Sequence, residues 1–242
     1  MKSLKQKFTA ELIGTMFLVI AAISSTILPI EMFGGEIALT VFINALAVAM
    51  VLFALIECLA PVSGAHFNPA VTLVLSRTGE MTRKEAPYYI IAQLTGGLMG
   101  VVITHMMFYD TNSVVLTFSE NTMTAGQYFA EFVGTFILIG VIYGCVRGKS
   151  SHTGLSIAFV VGGMLLSTAS TMFANPAVTL ARMFTYAICG IAPLSGLVFM
   201  AMEVAGALLA MVIFARVLYP KRMTDEICEP GYCPPSLIKI EQ

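Results

Sequence analysis

Charge is scarce in this sequence. Asp, Glu, Lys and Arg make up 11% of its 242 residues, against a hydrophobic share of 57% and a mean hydropathy of +0.87. A water-soluble domain carries about 25% charged residues, so a soluble globular domain is excluded and the chain reads as an integral membrane protein. A disulfide framework is also missing. Cys58 and Cys145 fall near the ends of apolar runs on one side and Cys189 near the other side, while Cys228 and Cys233 fall in a polar tail. In a cytosolic tail such thiols stay reduced, and two cysteines with no nearby His are a poor ligand set for a soft metal. There is no nucleophile–base–orienter set and no metal-ligand spacing, so neither an enzyme nor a metal or cofactor site is expected. The 16 Met residues are scattered and suit an apolar core. No cleavable signal peptide is expected, because the first apolar run is longer than a signal sequence needs.

What is present is a set of long apolar runs. A bilayer core of about 30 Å takes about 20 apolar residues per helix. Six runs qualify, at about 8–28, 37–59, 86–108, 126–146, 154–172 and 193–219. Of the 13 Lys and Arg residues, twelve sit in alternate flanks: Lys2, Lys5 and Lys7; Arg77, Arg83 and Lys84; Arg147 and Lys149; Arg216, Lys221, Arg222 and Lys239. The connections 29–36 and 109–125 carry only acidic charges. By the positive-inside rule both termini are cytoplasmic, in a multi-pass protein of the inner or plasma membrane. Arg182 is the one basic residue outside this pattern.

One hexapeptide occurs twice. Asn-Pro-Ala-Val-Thr-Leu occupies residues 68–73 and again 175–180. Asn is a favoured N-cap because its side-chain oxygen accepts an orphan backbone N–H, and Pro suits the first helical position. Asn68-Pro69-Ala70 and Asn175-Pro176-Ala177 therefore each open a short helix, from Asn68 to about Arg77 and from Asn175 to about Thr185. About ten residues give roughly 15 Å, half a bilayer core. Neither spans alone; both start at the midplane and together fill the place of one span. The capping oxygen leaves each Asn an amide NH₂, and two of these at one level suit a polar solute.

A second duplication fixes the architecture. Ala10-Glu11-Leu12-Ile13-Gly14-Thr15 returns as Ala130-Glu131-Phe132-Val133-Gly134-Thr135. The halves are then about 8–108 and 126–219, each with three spanning helices and one half-helix. Three is odd, so the second half lies inverted in the membrane, as in proteins with inverted repeats. The expected fold is an all-α membrane protein: six transmembrane helices plus two re-entrant half-helices, one domain over 1–219, and a structureless tail over 220–242. Glu11 and Glu131 are read as structural intramembrane carboxylates that accept hydrogen bonds from irregular backbone beside the half-helices, since such backbone is tolerated at that depth only when satisfied. Small-residue pairs (Ala10/Gly14, Ala130/Gly134, Gly96/Gly100, Gly206/Ala210) mark close helix contacts. Gln93 and Glu203, at matching places in the two halves, read as packing residues. Asn44 and His105 read as satisfied helix–helix hydrogen bonds.

The paired Ala-Glu-x-x-Gly-Thr and paired Asn-Pro-Ala, over about residues 8–219, resemble the major intrinsic protein family, the aquaporins and aquaglyceroporins. The resemblance implies a homotetramer in the lipid bilayer, with a pore in each subunit passing water and small uncharged solutes. It implies that Asn68 and Asn175 donate hydrogen bonds to the solute, and that the carbonyls of Gly64, Ala65, His66, Thr171, Met172 and Phe173 form an acceptor ladder. The sequence departs from the family at the outer constriction. Family members usually have Arg after the second Asn-Pro-Ala; here Val178 stands there, and Arg182 follows one turn later. Val48 takes the place of the aromatic residue of water-selective members, and the fifth helix contributes something between Gly163 and Ser167, with Met172 nearby. This constellation is similar to a bacterial branch related to nodulin-26-like channels, which implies glycerol-sized or metalloid solutes such as arsenous acid. A strictly water-selective channel and an ion-coupled secondary transporter are the alternatives.

Overall fold

The computed structural model of the chain describes residues 2–220. The tail expected from 220 onward, with Cys228 and Cys233, lies outside them apart from Pro220. The described residues form eight α-helices in the order α1 Leu4–Ile27, α2 Ile37–Ser63, α3 Pro69–Arg77, α4 Ala86–Met107, α5 Ala125–Arg147, α6 Thr153–Ser167, α7 Pro176–Arg182 and α8 Pro193–Ala210. Helix α1 runs on through a π-helical turn over Leu28–Met32, and α8 ends in a π-helical stretch over Met211–Leu218. Among the described residues there are no strands. The two repeats start alike. Gln6 and Gln127 each reach back to the backbone N–H of the residue before their helix, Ser3 at 2.8 Å and Thr124 at 2.9 Å, which satisfies a donor that the helix itself leaves open.

The repeats pack by matching contacts. Helix α1 lies along α4, α5 along α8, and α2 meets α6 where the halves join. Glycine permits the first two approaches. A Cβ on Gly96 would stand 2.2 Å from the Leu12 carbonyl oxygen, and one on Gly206 would stand 2.2 Å from the Phe132 oxygen. Cys58, Cys145 and Cys189 are free thiols. Asn44 donates to Ala22 O and to Ser25 Oγ, both at 2.8 Å. His105 bonds Val115 O at 2.5 Å and Thr185 Oγ1 at 2.8 Å.

Two elements are shorter than expected. Five of the spans are long and apolar enough to cross a bilayer, whereas α6 has 15 residues, about 22 Å at the helical rise. The chain leaves the helix at Thr168, whose φ of −101° and ψ of 149° are extended, and the apolar run to 172 continues as irregular backbone. Thr171, Met172 and Ala174 have φ of 55°, 35° and 47°, which a helix cannot hold. The second half-helix ends at Arg182 rather than near Thr185. Its last turn tightens, with Met183 N bonded to Leu180 O and Phe184 N to Ala181 O, and Thr185 is drawn off to His105.

Candidate functional site

The site is built on the two Asn-Pro helix starts. Asn68 holds an extended φ of −154°, and its Oδ1 accepts from Ala70 N at 2.8 Å and Val71 N at 3.5 Å. Asn175, with φ −155°, accepts from Ala177 N at 3.0 Å and Val178 N at 3.4 Å. The amide nitrogens then cross to the opposite repeat. Asn68 Nδ2 donates to Ala174 O at 2.7 Å, and Asn175 Nδ2 donates to Phe67 O at 2.8 Å. The half-helices thus start at one level and are tied to each other. Pro69, Ala70, Pro176 and Ala177 are buried around this junction.

The loops before the half-helices are held by buried carboxylates. Ala65, Phe67, Thr171, Met172 and Ala174 all have positive φ, a conformation that turns their N–H groups away from any regular partner. Glu11 Oε1 accepts from Ser63 Oγ at 2.6 Å and His66 N at 3.0 Å; its Oε2 accepts from Phe67 N at 2.7 Å and Gln93 Nε2 at 2.8 Å. Glu131 accepts from Phe173 N at 2.9 Å and Ala174 N at 2.7 Å. Both glutamates are fully buried. Glu203 is the carboxylate that reading for packing alone missed. It is fully buried, takes a hydrogen bond from Thr179 Oγ1 at 2.5 Å, and lies against Glu131. Its counterpart Gln93 bonds Thr72 Oγ1 at 2.9 Å. The correspondence of positions 93 and 203 was the available signal.

A cavity of about 420 Å³ passes this junction. Gly64, Ala65 and His66 line it from the first loop, and Met172 and Phe173 from the second; Thr171 does not reach it. The carbonyls nearest the helix starts, those of Phe67 and Ala174, are occupied by the crossing asparagines. Beyond the junction the walls are Val48, Val178, Leu165 and Arg182. Gly163 and Ser167, expected as the fifth-helix contribution, are exposed on the outside of α6 and do not line the cavity. Ser167 instead turns its hydroxyl back to Gly163 O at 2.8 Å. Leu165, 2% exposed, faces the cavity in their place.

Arg182 reaches back from the end of α7. Its guanidinium carbon stands 4.1 Å from the centroid of the Phe173 ring, within cation–π range. The residue is 2% exposed, and its Nε and Nη1 are buried with no hydrogen-bond partner among the described residues. Its charge acts on Glu131.

The sequence model for the family described as "Major intrinsic protein" matches residues 1–174. The aquaglyceroporin AqpS of Rhizobium meliloti (strain 1021) is 35% identical over 231 residues, covering 96% of this chain and 98% of that protein. Nodulin-26 of Glycine max is 28% identical over 190 residues, covering 75% and 68%. In structure, the aquaglyceroporin from Plasmodium falciparum superposes with a TM-score of 0.70 at 23% identity, over 89% of this chain and 97% of that one. That last likeness extends to the fold alone.

Proposed function

The chain belongs to the major intrinsic protein family, and we propose that it is a passive channel for water and small uncharged solutes that refuses ions. The crossing asparagines carry this reading. Each amide has two N–H groups, and one is spent on the opposite loop. The second is left for an oxygen passing through the cavity. Carbonyls of Gly64, Ala65 and His66 on one side, and of Met172 and Phe173 on the other, offer acceptors along the way. A cation at the junction meets two positive helix ends and loses its hydration, the means by which channels of this family exclude ions. A solute that accepts from both amides is oriented, which breaks a chain of donated protons.

The solute class follows from the walls. Val48, Val178 and Leu165 give apolar walls beside Arg182 and the Phe173 ring it stacks on, which favours solutes of glycerol or arsenous-acid size. An aquaglyceroporin of similar length supports the same class. The distribution of basic residues supports cytoplasmic termini in an inner or plasma membrane. A homotetramer is the assembly expected of the family.

Stopped-flow measurements on purified protein in liposomes test the proposal, with water, glycerol and arsenous acid run in parallel. Flux of all three, unsaturated and independent of ion gradients, is the expected result. Fast water flux with glycerol and arsenous acid both excluded would overturn the solute class, and gradient-dependent flux would mark a transporter. Asn175→Asp sharpens the test. Aspartate still caps the helix, but it has no N–H for Phe67 O and sets one acceptor against another. Glycerol flux should fall about tenfold or more, the worth of a hydrogen bond to a buried polar group lost at a constriction, and a cation leak should appear. A folded variant with unchanged flux and unchanged ion exclusion removes Asn175 from the pore.

A further inference from the structure

The junction refuses cations, but its own polarity invites anions. Two positive helix ends meet at the asparagines, and Arg182, in the wall beyond them, carries a charge of the same sign. Lost hydration opposes ions of both signs, yet for an anion this polarity offsets part of the loss. A channel for uncharged solutes therefore needs a separate barrier to anions. Glu11, Glu131 and Glu203 do not supply it, because they are fully buried behind the loops and line none of the cavity. Among the described residues the one carboxylate in the cavity wall is Glu57, near the end of α2.

Glu57 stands at the mouth opposite the Val178 end. Ser150, Ser151 and Thr153 line the cavity there with it, where α6 begins. Val48, in the wall with Val178, lies nine residues earlier on α2 (57 − 48), about 14 Å away at the helical rise. Packing sets the place of the carboxylate. A Cβ on Gly154 would stand 2.4 Å from Glu57 Oε1 and 3.2 Å from Ile56 Cγ2. Glycine at 154 thus lets the side chain lie across the first turn of α6. His152 gives that helix no side-chain cap, and the positive helix end favours a carboxylate beside it. Glu57 is exposed and forms no ion pair among the described residues, where the pairs are Lys7–Glu85 and Arg147–Glu80. Its charge therefore acts on the mouth.

The surroundings show what that charge opposes. Arg77, Arg83, Lys84 and Lys149 are exposed, enter none of those pairs, and in the topology proposed above share this face of the membrane. Such a face raises the local concentration of anions, and the cavity opens onto it. We propose that Glu57 is a specificity-determining residue of the inner mouth: its carboxylate turns back the small anions that the basic face and the junction attract, and lets uncharged solutes pass. The proposal rests on the channel reading above. A weak acid is then admitted in its protonated form and refused as its conjugate base.

Glu57→Gln and Glu57→Lys test this in liposomes, with nitrate, potassium and glycerol flux measured for each beside the unmodified protein. Glu57 is exposed, so both variants are expected to fold. Glu57→Gln keeps the shape and removes the charge, and its nitrate flux should rise above that of the unmodified protein. Glu57→Lys should raise nitrate flux about fivefold further, the worth of one more unit charge met at about 4 Å in water. Both increases should shrink at high ionic strength, because the mouth is open to solvent. Potassium flux should stay at the level of the unmodified protein. No rise in Glu57→Gln would overturn the proposal, and so would a Glu57→Lys flux no higher than that of Glu57→Gln. A rise that salt does not weaken, or one that carries potassium with it, overturns it too, since a damaged pore would then explain the leak. Failure of the channel reading is separate, because the unmodified protein would then pass no glycerol.

Discussion

Glu11→Ala is expected to yield a protein that fails to hold its first half-helix and carries no measurable flux. Four donors converge on this carboxylate: the Ser63 hydroxyl, His66 N, Phe67 N and the Gln93 amide. Each buried donor left without an acceptor costs roughly 1–3 kcal/mol. Two are backbone groups of residues beside left-handed conformations at Ala65 and Phe67, and they have no helix or strand to fall back on. The summed loss is comparable with the whole stability of an ordinary domain, about 5–15 kcal/mol. The yield of monodisperse protein in mild detergent and flux in liposomes check this outcome. A variant that purifies normally and conducts normally would show that the first loop keeps its shape by other means. Glu11→Gln should be milder, because it keeps one acceptor oxygen while setting an NH₂ against the remaining donors.

Gly206→Ala is expected to separate α8 from α5. The added carbon would stand 2.2 Å from the Phe132 carbonyl oxygen and 3.2 Å from Phe136 N. These are backbone atoms, so no rotamer change makes room and the helices themselves must move. Overpacking of this kind costs about 1–3 kcal/mol. A lower thermal midpoint in detergent should report it, and Gly96→Ala should behave alike against Leu12 O at 2.2 Å. Gly163→Ala is the control. No atom lies within 4 Å of a Cβ there, and the position is exposed. Its midpoint and flux should match the unmodified protein. A loss at Gly163 equal to that at Gly206 would remove the close-approach explanation.

Much of the fold was legible because it is written twice. The repeated Asn-Pro start carries its own capping chemistry, and the repeated Ala-Glu-x-x-Gly-Thr places a carboxylate beside each irregular loop. The facing of α6 was not legible. Its lipid side and its cavity side are equally apolar, so Gly163, Leu165 and Ser167 cannot be sorted by hydrophobicity, and the position stayed open across 163–167, where the cavity-facing residue is Leu165. The end of α7 was hidden for a different reason. No glycine or proline marks it; after Arg182 the backbone bonds become i→i−3, and the Arg182 carbonyl is taken by Ile191 N at 3.0 Å. Glu203 was read as a packing residue because the comparison with Gln93 invites reading the shared Gly-rich packing rather than the difference in charge. The place of Arg182 also needed the structure, since spacing alone allowed it to face the mouth or the cavity.

The exchange of amide bonds between the repeats bears on how the protein is made. Asn68 reaches Ala174 and Asn175 reaches Phe67, partners 106 and 108 residues apart. A chain emerging from the ribosome has its first four helices long before residue 174 exists, so the first loop must wait, its amide unserved, for the second half to arrive. Contacts that distant form late and slow the approach to the native state. The asparagine junction is thus completed by docking of one half against the other. An incompletely docked chain would leave the loop donors open at membrane depth, where unpaired backbone is most costly, and quality control would meet that species before any conducting one.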